Sequence, residues 1–147
     1  MKRFAFELEP VLKIRTHEEE LQKQAFARQM QQMIQLKEQH EGIRSELDRY
    51  STEHEQHSAL KSPVEYQRHY SFIQSRQQEM AQLDHEIDLA KERTEMERKK
   101  LITANQKTRV LENLKEKKRL EYMKEADMEE QKVMNEIATQ RFHRKNL

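Results

Sequence analysis

The chain has 147 residues, of which 37 % are charged and 34 % hydrophobic, and about half of them are Ala, Glu, Lys, Leu or Arg. That composition is typical of a coiled coil or a long helix and excludes a thick hydrophobic core. The net charge of +1 gives no strong general field for nucleic acid or anionic lipid. A single glycine, Gly42, excludes a glycine-rich phosphate loop, and the absence of cysteine excludes a thiolate nucleophile and a disulfide. We therefore expect no nucleotide and no other cofactor.

The first predicted element is a helix over about 10–57, because Pro10 suits the first turn of a helix. Its apolar residues recur at alternating spacings of three and four, which is the pattern of a coiled-coil seam. The seam residues are Phe26, Met33, Leu36, Ile43, Leu47 and Tyr50, with His40 in phase. Before them we expect a slightly offset stripe on one helical face, formed by Leu8, Val11, Leu12, Ile14 and Leu21.

A turn is predicted at about 58–63. Ser62, Pro63 and Glu65 have the spacing of an N-cap, a first helical residue and the acidic member of a capping box. A proline inside one continuous helix would cost about 3 kcal/mol. The chain is therefore expected to reverse here rather than to continue as a single helix.

The second predicted element is a helix over about 63–141. Its seam residues are Ile73, Met80, Leu83, Ile87, Ala90, Thr94, Leu101, Ala104, Thr108 and Leu111, interrupted by Arg76 and Glu97. A short connection joins antiparallel neighbours. The predicted fold is all-α, a long antiparallel two-helix coiled coil or α-helical hairpin that forms a single domain over 1–147, with residue i facing about residue 121 − i.

This pairing predicts an overhanging C-terminal helix. Beyond about Leu111 the second helix has no counterpart in the first, yet it keeps apolar residues at Leu114, Tyr122, Ala126, Val133 and Ile137. Isolated helices are marginal in water, because most helical stability in proteins comes from packing. The overhang is therefore expected to bind a partner.

We assign no metal ligand and no catalytic residue. The run from His54 to His57 places two histidines three apart, whereas the metalloprotease motif needs a separation of four. A two-helix hairpin also offers no concave pocket that would shift the pKa values of a carboxylate pair. No apolar run approaches the roughly 18 residues of a membrane span, and the N-terminus lacks an apolar signal core, so the expected location is the cytoplasm.

Two local patterns are candidates for binding surfaces. Four of the nine aromatic residues gather near the predicted turn, where they either anchor a partner or plug the end of the hairpin. Residues 91–120 contain eleven basic against five acidic residues, and residues 121–136 contain six acidic against two basic. These runs are either solvated helix faces or a charge-complementary partner surface, and the interleaved acids argue against nucleic acid.

Several segments resemble the flagellar export protein FliJ family. The start of the chain, Phe4 to Arg15, reads FAFELEPVLKIR and is similar to the family's opening pattern F-x-F-x-L-x-x-V-L-x-x-R. Further similar segments are Tyr66 to Ile73, Arg109 to Lys117 and Glu130 to Phe142. The resemblance spans nearly the whole chain. The chain departs from the usual family sequence at Glu9 and Pro10, which precede the Val-Leu pair.

The resemblance implies a noncatalytic component of the flagellar type III export apparatus, similar in architecture to the terminal helices of the rotary ATP synthase gamma subunit. By that analogy the chain would insert as a stalk into the hexameric flagellar export ATPase and promote its assembly and activity. It would also contact the cytoplasmic domain of the export gate and escort export chaperones. Its implied location is the cytoplasm, peripheral at the inner face of the cytoplasmic membrane.

Residue roles follow from the same analogy. The residues expected to face the ATPase are Phe4, Phe6, Leu8, Arg15, Lys115, Lys117, Lys118 and Arg119. The residues expected to face the export gate are Tyr50, Tyr66, Tyr70 and Phe72.

Three other functions stay open from the sequence. The first is the related stalk protein of a virulence-type secretion injectisome. The second is a generic structural coiled coil that forms a homodimer through its overhang. The third is nucleic-acid binding, which predicts an affinity that falls steeply with salt.

Overall fold

A computed structural model of the protein describes residues 2–56 and 62–146, the side chains of residues 55 and 56 excepted. Two α-helices make up most of this part of the chain: α1, Glu9–Gln56, and α2, Pro63–Lys145. No strand occurs in the described residues. Of the predicted turn at about 58–63, residues 58–61 lie outside the described residues.

The two helices begin where the local sequence supplies suitable groups. The Glu9 N–H donates to the Phe6 carbonyl at 3.1 Å, which closes a turn just before α1. The Ser62 hydroxyl accepts the Glu65 N–H at 3.3 Å, so the predicted N-cap of α2 is confirmed. Pro63 follows as the first helical residue, where its missing N–H removes no helical hydrogen bond.

Both helices contribute to two compact units. The terminal unit comprises Met1–Glu20 and Thr103–Leu147, and the central unit comprises Leu21–Ile102.

In the central unit, α1 and α2 run antiparallel. His40 Nε2 lies 2.9 Å from Asp84 Oδ1, and Arg76 lies 3.5 Å from the Glu46 carboxylate nearer the end of α1. The predicted pairing places His40 opposite about residue 81, so the observed register agrees with it to within about three residues. The seam side chains predicted for this unit are all buried or half-buried, and its buried hydrophobic residues are Ile43, Leu83, Ile87 and Ala90. The expected all-α helical hairpin is confirmed.

In the terminal unit, the same two helices also pack antiparallel, with a more polar seam. The Asn105 amide donates to the Glu19 carboxylate at 3.0 Å, and the Thr108 hydroxyl donates to the Arg15 carbonyl at 3.3 Å. Leu12 and Glu19 of α1 are buried, as is Thr108 of α2. Polar residues thus hold several of the positions between the helices.

The offset stripe expected at the start of α1 is wrong for four of its five residues. Leu12 is buried, whereas the side chains of the other four are exposed: Leu8, Val11, Ile14 and Leu21. The reason is that the heptad spacing continues from Leu12 through Arg15 and Glu19, and these positions meet hydrogen-bonding partners on α2. The seam therefore keeps its phase and passes through polar residues, leaving neighbouring aliphatic side chains outside.

The expectation that α2 has no counterpart beyond Leu111 is wrong for the stretch from 114 to 122. Residues 2–8, here called the N-terminal strap, precede α1 and lie against α2. The Phe4 and Tyr122 rings lie with their centroids 5.5 Å apart, and the Tyr122 hydroxyl donates to the Lys2 carbonyl. Every described residue beyond Ala126 is exposed, so the fully exposed overhang begins after that residue.

Neither helix in the described part of the chain contains a segment long and apolar enough to cross a membrane.

Candidate interaction surfaces

A groove between the strap and α2 holds several of the residues assigned to the ATPase. It is lined on the strap side by Phe4, Phe6 and Leu8, and on the α2 side by Leu114, Lys118 and Tyr122. Phe4 and Phe6 are half-buried, while Leu8 is 38 % exposed. The structure thus brings the two phenylalanines of the opening motif onto α2, with Leu8 at the surface.

The other ATPase-facing candidates lie in the same unit. Arg15 is half-buried, and its guanidinium contacts Glu18 at 3.2 Å. Lys115 is also half-buried and forms an ion pair with Glu9 at 2.8 Å. The remaining three candidates are exposed on α2: Lys117, Lys118 and Arg119.

Several basic side chains of α2 form ion pairs with acidic residues three positions away. Two nitrogens of the Arg119 guanidinium donate hydrogen bonds to the Glu116 carboxylate, at 2.7 and 3.0 Å. This hydrogen bonding lowers the pKa of Glu116. Arg98 forms the same forked contact with Glu95 one turn away, which likewise lowers the pKa of that carboxyl group. These pairs are exposed, so each stabilises the helix only slightly. Their geometry favours the interpretation of a solvated helix face over that of a strongly positive binding surface.

Lys118 makes a longer contact with Glu121, at 3.7 Å, and Lys117 lies exposed one residue earlier. An exposed lysine held this loosely loses little when it exchanges its contact for an acidic group of a partner. These two side chains are therefore the part of the block best suited to a new ion pair.

The four aromatic residues assigned to the export gate divide into two pairs. Tyr50 and Phe72 are half-buried and pack together, with ring centroids 4.6 Å apart. Tyr66 and Tyr70 are 56 % and 66 % exposed. Residues four apart on a helix share one face, so the two exposed tyrosines form a single outward surface.

Two histidines complete the inward cluster. The Tyr50 hydroxyl lies 2.8 Å from His69 Nδ1, and the His69 ring stacks on that of His54 at 4.1 Å. Arg76 covers the Phe72 ring at 5.7 Å. The heptad phase contained the signal for both histidines, because His54 lies four residues after Tyr50, and His69 lies four before Ile73.

In the described ranges, 2–56 and 62–146, no group of three or more acidic, histidine or cysteine side chains lies close enough to hold a metal ion.

Comparison with known families decides the identity. The sequence model described as Flagellar FliJ protein matches residues 4–147, which is essentially the whole chain. The chain belongs to the FliJ family. It is accordingly a component of flagellar protein export, as the motif at Phe4 to Arg15 led us to expect. No curated protein and no solved structure gives a significant match.

Proposed function

We propose that this FliJ-family chain is a noncatalytic stalk that binds the hexameric flagellar export ATPase and promotes its assembly and activity. The observation that carries the proposal is the family match over residues 4–147, in a chain whose terminal unit pairs the two helices antiparallel. That pairing supports the analogy with the terminal helices of a rotary gamma subunit. The chain acts in the cytoplasm and is peripheral to the membrane through the export apparatus.

The contact with the ATPase is assigned to the terminal unit. Its residues are Phe4, Phe6, Leu8, Arg15, Lys115, Lys117, Lys118 and Arg119. Leu8 supplies exposed apolar surface, and Lys117 and Lys118 supply exposed positive charge. Phe4 and Phe6 act from the groove against α2, where they fix the position of the strap.

The experiment adds the purified chain to the ATPase and measures oligomer distribution and turnover at several ratios and at low salt. We expect more hexamer and faster hydrolysis. Lys117→Glu combined with Lys118→Glu should weaken both effects, since charge reversal repels the acidic groups that the lysines would meet. Lys91→Glu with Arg93→Glu is the control, because it makes the same charge change at exposed positions of the central unit. An unchanged ATPase at every ratio would contradict the proposal.

The export gate contact is assigned to Tyr66 and Tyr70, with Tyr50 and Phe72 holding the start of α2 in place. Exposed tyrosines are frequent interface anchors. Tyr66→Ala with Tyr70→Ala should weaken binding to the cytoplasmic domain of the gate while leaving thermal stability unchanged. Phe72→Ala should lower thermal stability, because its ring packs on Tyr50.

Val64→Ala is the control for the tyrosine pair, since Val64 is an equally exposed residue of the same helical segment. Gate binding that survives the loss of both tyrosines would move the contact elsewhere. The escort of export chaperones is the third role, and it is tested by whether the same chain captures chaperones that carry no substrate.

A further inference from the structure

The seam of α2 keeps its spacing as far as Tyr122, which packs on the strap. Continuing its spacing of three and four along α2 leads only to polar residues: Glu125, Glu129, Lys132, Glu136 and Thr139. A coiled-coil seam is held together by apolar side chains at these positions. The sequence of α2 beyond Tyr122 therefore does not favour a continuation of the same coiled-coil seam.

A second apolar face begins where the seam ends. Leu120, Met123, Met134 and Ile137 follow the alternating spacing of three and four, and the two intervening positions of that spacing are Asp127 and Glu130. We call these six residues the C-terminal stripe. Its four apolar side chains are 43–63 % exposed. An amphipathic helix with a bare apolar face ordinarily buries that face in a partner.

The charges within the stripe specify the partner. Asp127 and Glu130 occupy its centre, and residues 121–136 carry six acidic against two basic side chains. A carboxylate covered by an apolar interface loses its hydration, which is unfavourable unless a cation replaces it. We propose that the C-terminal stripe binds an amphipathic helix of another protein whose apolar side chains flank two basic residues.

A second copy of this chain is a poor occupant. Parallel pairing of two stripes places Asp127 against Asp127, and antiparallel pairing places Asp127 against Glu130. Both arrangements bring like charges together at the centre of the interface, which is destabilising. The two methionines suit a heterologous helix, because their flexible side chains adapt to partners of different shape. The inference is independent of the proposed ATPase contact, since it involves other residues.

The test uses the full chain and two synthetic amphipathic peptides of about five helical turns. Both carry leucine at stripe spacing, and they differ only in two central residues, lysine in one and glutamate in the other. Fluorescence anisotropy at low salt measures their affinities. We expect the lysine peptide to bind roughly tenfold more tightly, because it forms two additional ion pairs. The difference should shrink as salt is raised.

A charge-reversed variant makes the test specific. Asp127→Lys combined with Glu130→Lys should invert the preference, so that the glutamate peptide binds more tightly. Glu129→Lys combined with Glu136→Lys makes the same charge change outside the stripe and should leave the lysine peptide preferred. Circular dichroism checks that both variants keep their helix content.

Three results would overturn the proposal. One is equal affinity for the two peptides, and another is an inversion of preference in the control variant as large as in the stripe variant. The third is a doubled mass in light scattering that Ile137→Lys abolishes, because it would assign the stripe to a second copy of the chain.

Discussion

Polar side chains fill several seam positions at which a coiled coil ordinarily carries apolar ones. The Gln22 amide donates to both the carboxylate and the backbone carbonyl of Glu97. The Thr94 hydroxyl donates to the carbonyl one turn earlier in α2 at 2.7 Å, and the Thr108 hydroxyl shares its one hydrogen between that of Ala104, at 3.1 Å, and the facing Arg15 carbonyl. Each of these groups is satisfied within the hairpin, so its burial does not leave an unpaired donor.

The contact between Gln22 and Glu97 predicts a pH dependence of stability. The Gln22 hydrogen bond lowers the pKa of Glu97, and attraction from Lys100 and Arg28 adds to it. The folded state therefore binds a proton at Glu97 less readily than the unfolded chain does. The stabilisation that the ionised Glu97 contributes is present above the ordinary pKa of 4.5 and is lost as pH falls through the lowered pKa. We expect Gln22→Ala to reduce the fall in the free energy of unfolding at acid pH, as measured by urea denaturation.

Gln24→Ala is the control for that measurement, since Gln24 is exposed and lies two residues after Gln22. It should keep the acid loss of the natural chain. The same slope in all three proteins would mean that the hydrogen bond does not control the titration.

Gly42 offers a second prediction at a single residue. It lies within α1, and a methyl group added there would meet nothing within 4 Å. Gly42→Ala should raise the free energy of unfolding by about 0.5–1 kcal/mol, because alanine loses less backbone entropy on forming a helix. Urea denaturation measures the gain. Gln39→Ala, at a nearby exposed position, should change it little, and a Gly42→Ala protein no more stable than this control would contradict the argument.

Among the elements, α2 contributes the most deeply buried hydrophobic residue of the described chain. Ala90 is 2 % exposed, so a larger side chain at that position has no room between the helices. Ala90→Leu should destabilise the protein by about 1–3 kcal/mol through overpacking. Ala81→Leu makes the same change at an exposed position of α2 and should have little effect. Thermal denaturation compares the two variants, and equal melting temperatures would show that the helices separate to accept the larger residue.

The N-terminal strap makes a prediction for the segment of α2 that it covers. The Phe4 ring packs on Tyr122, and such a pair contributes about 1 kcal/mol. Phe4→Ala should therefore speed backbone amide exchange in residues 114–122 by roughly fivefold. Phe142→Ala removes an exposed ring from the same helix and is the control. Unchanged exchange after Phe4→Ala would mean that the strap does not protect α2.

At the scale of the whole molecule, the supply of buried apolar side chains is small. The buried hydrophobic residues of the described chain are Leu12, Ile43, Leu83, Ile87 and Ala90. A large share of the remaining apolar residues is exposed, including Val11, Ile14 and most of the C-terminal stripe. Because so little of the apolar surface is buried within the chain, much of it is available for contact with partners.

The self-repulsion of the C-terminal stripe predicts the oligomeric state. Static light scattering should give a concentration-independent mass near 18.0 kDa, the mass of one chain. The reason is that the carboxylates of Asp127 and Glu130 face like charges in either pairing of two copies. A mass that doubles as concentration rises would favour the homodimeric coiled coil left open by the sequence.

Much of the fold could be predicted because the relevant signals are local. Seam positions such as Leu36 and Leu83 follow from spacing along one helix. Ser62 caps the start of α2, because its hydroxyl accepts a hydrogen bond from the N–H of Glu65, three residues later. The division of the aromatic cluster was less accessible. Tyr50 of α1 packs on Phe72 and His69 of α2, and no pattern within one helix predicts a contact between two helices.

The sequence by itself determined two long helices, their antiparallel register and the family, because helical periodicity, capping and the opening motif are written in neighbouring residues. Only the tertiary structure decided which face of α1 is buried near Leu12, since Asn105 and Thr108 of the facing helix form hydrogen bonds with α1 there. It also decided where the overhang begins. Residues 2–6 of the strap are not helical, so helical periodicity does not predict their packing, and the contact between Phe4 and Tyr122 joins residues far apart in the chain.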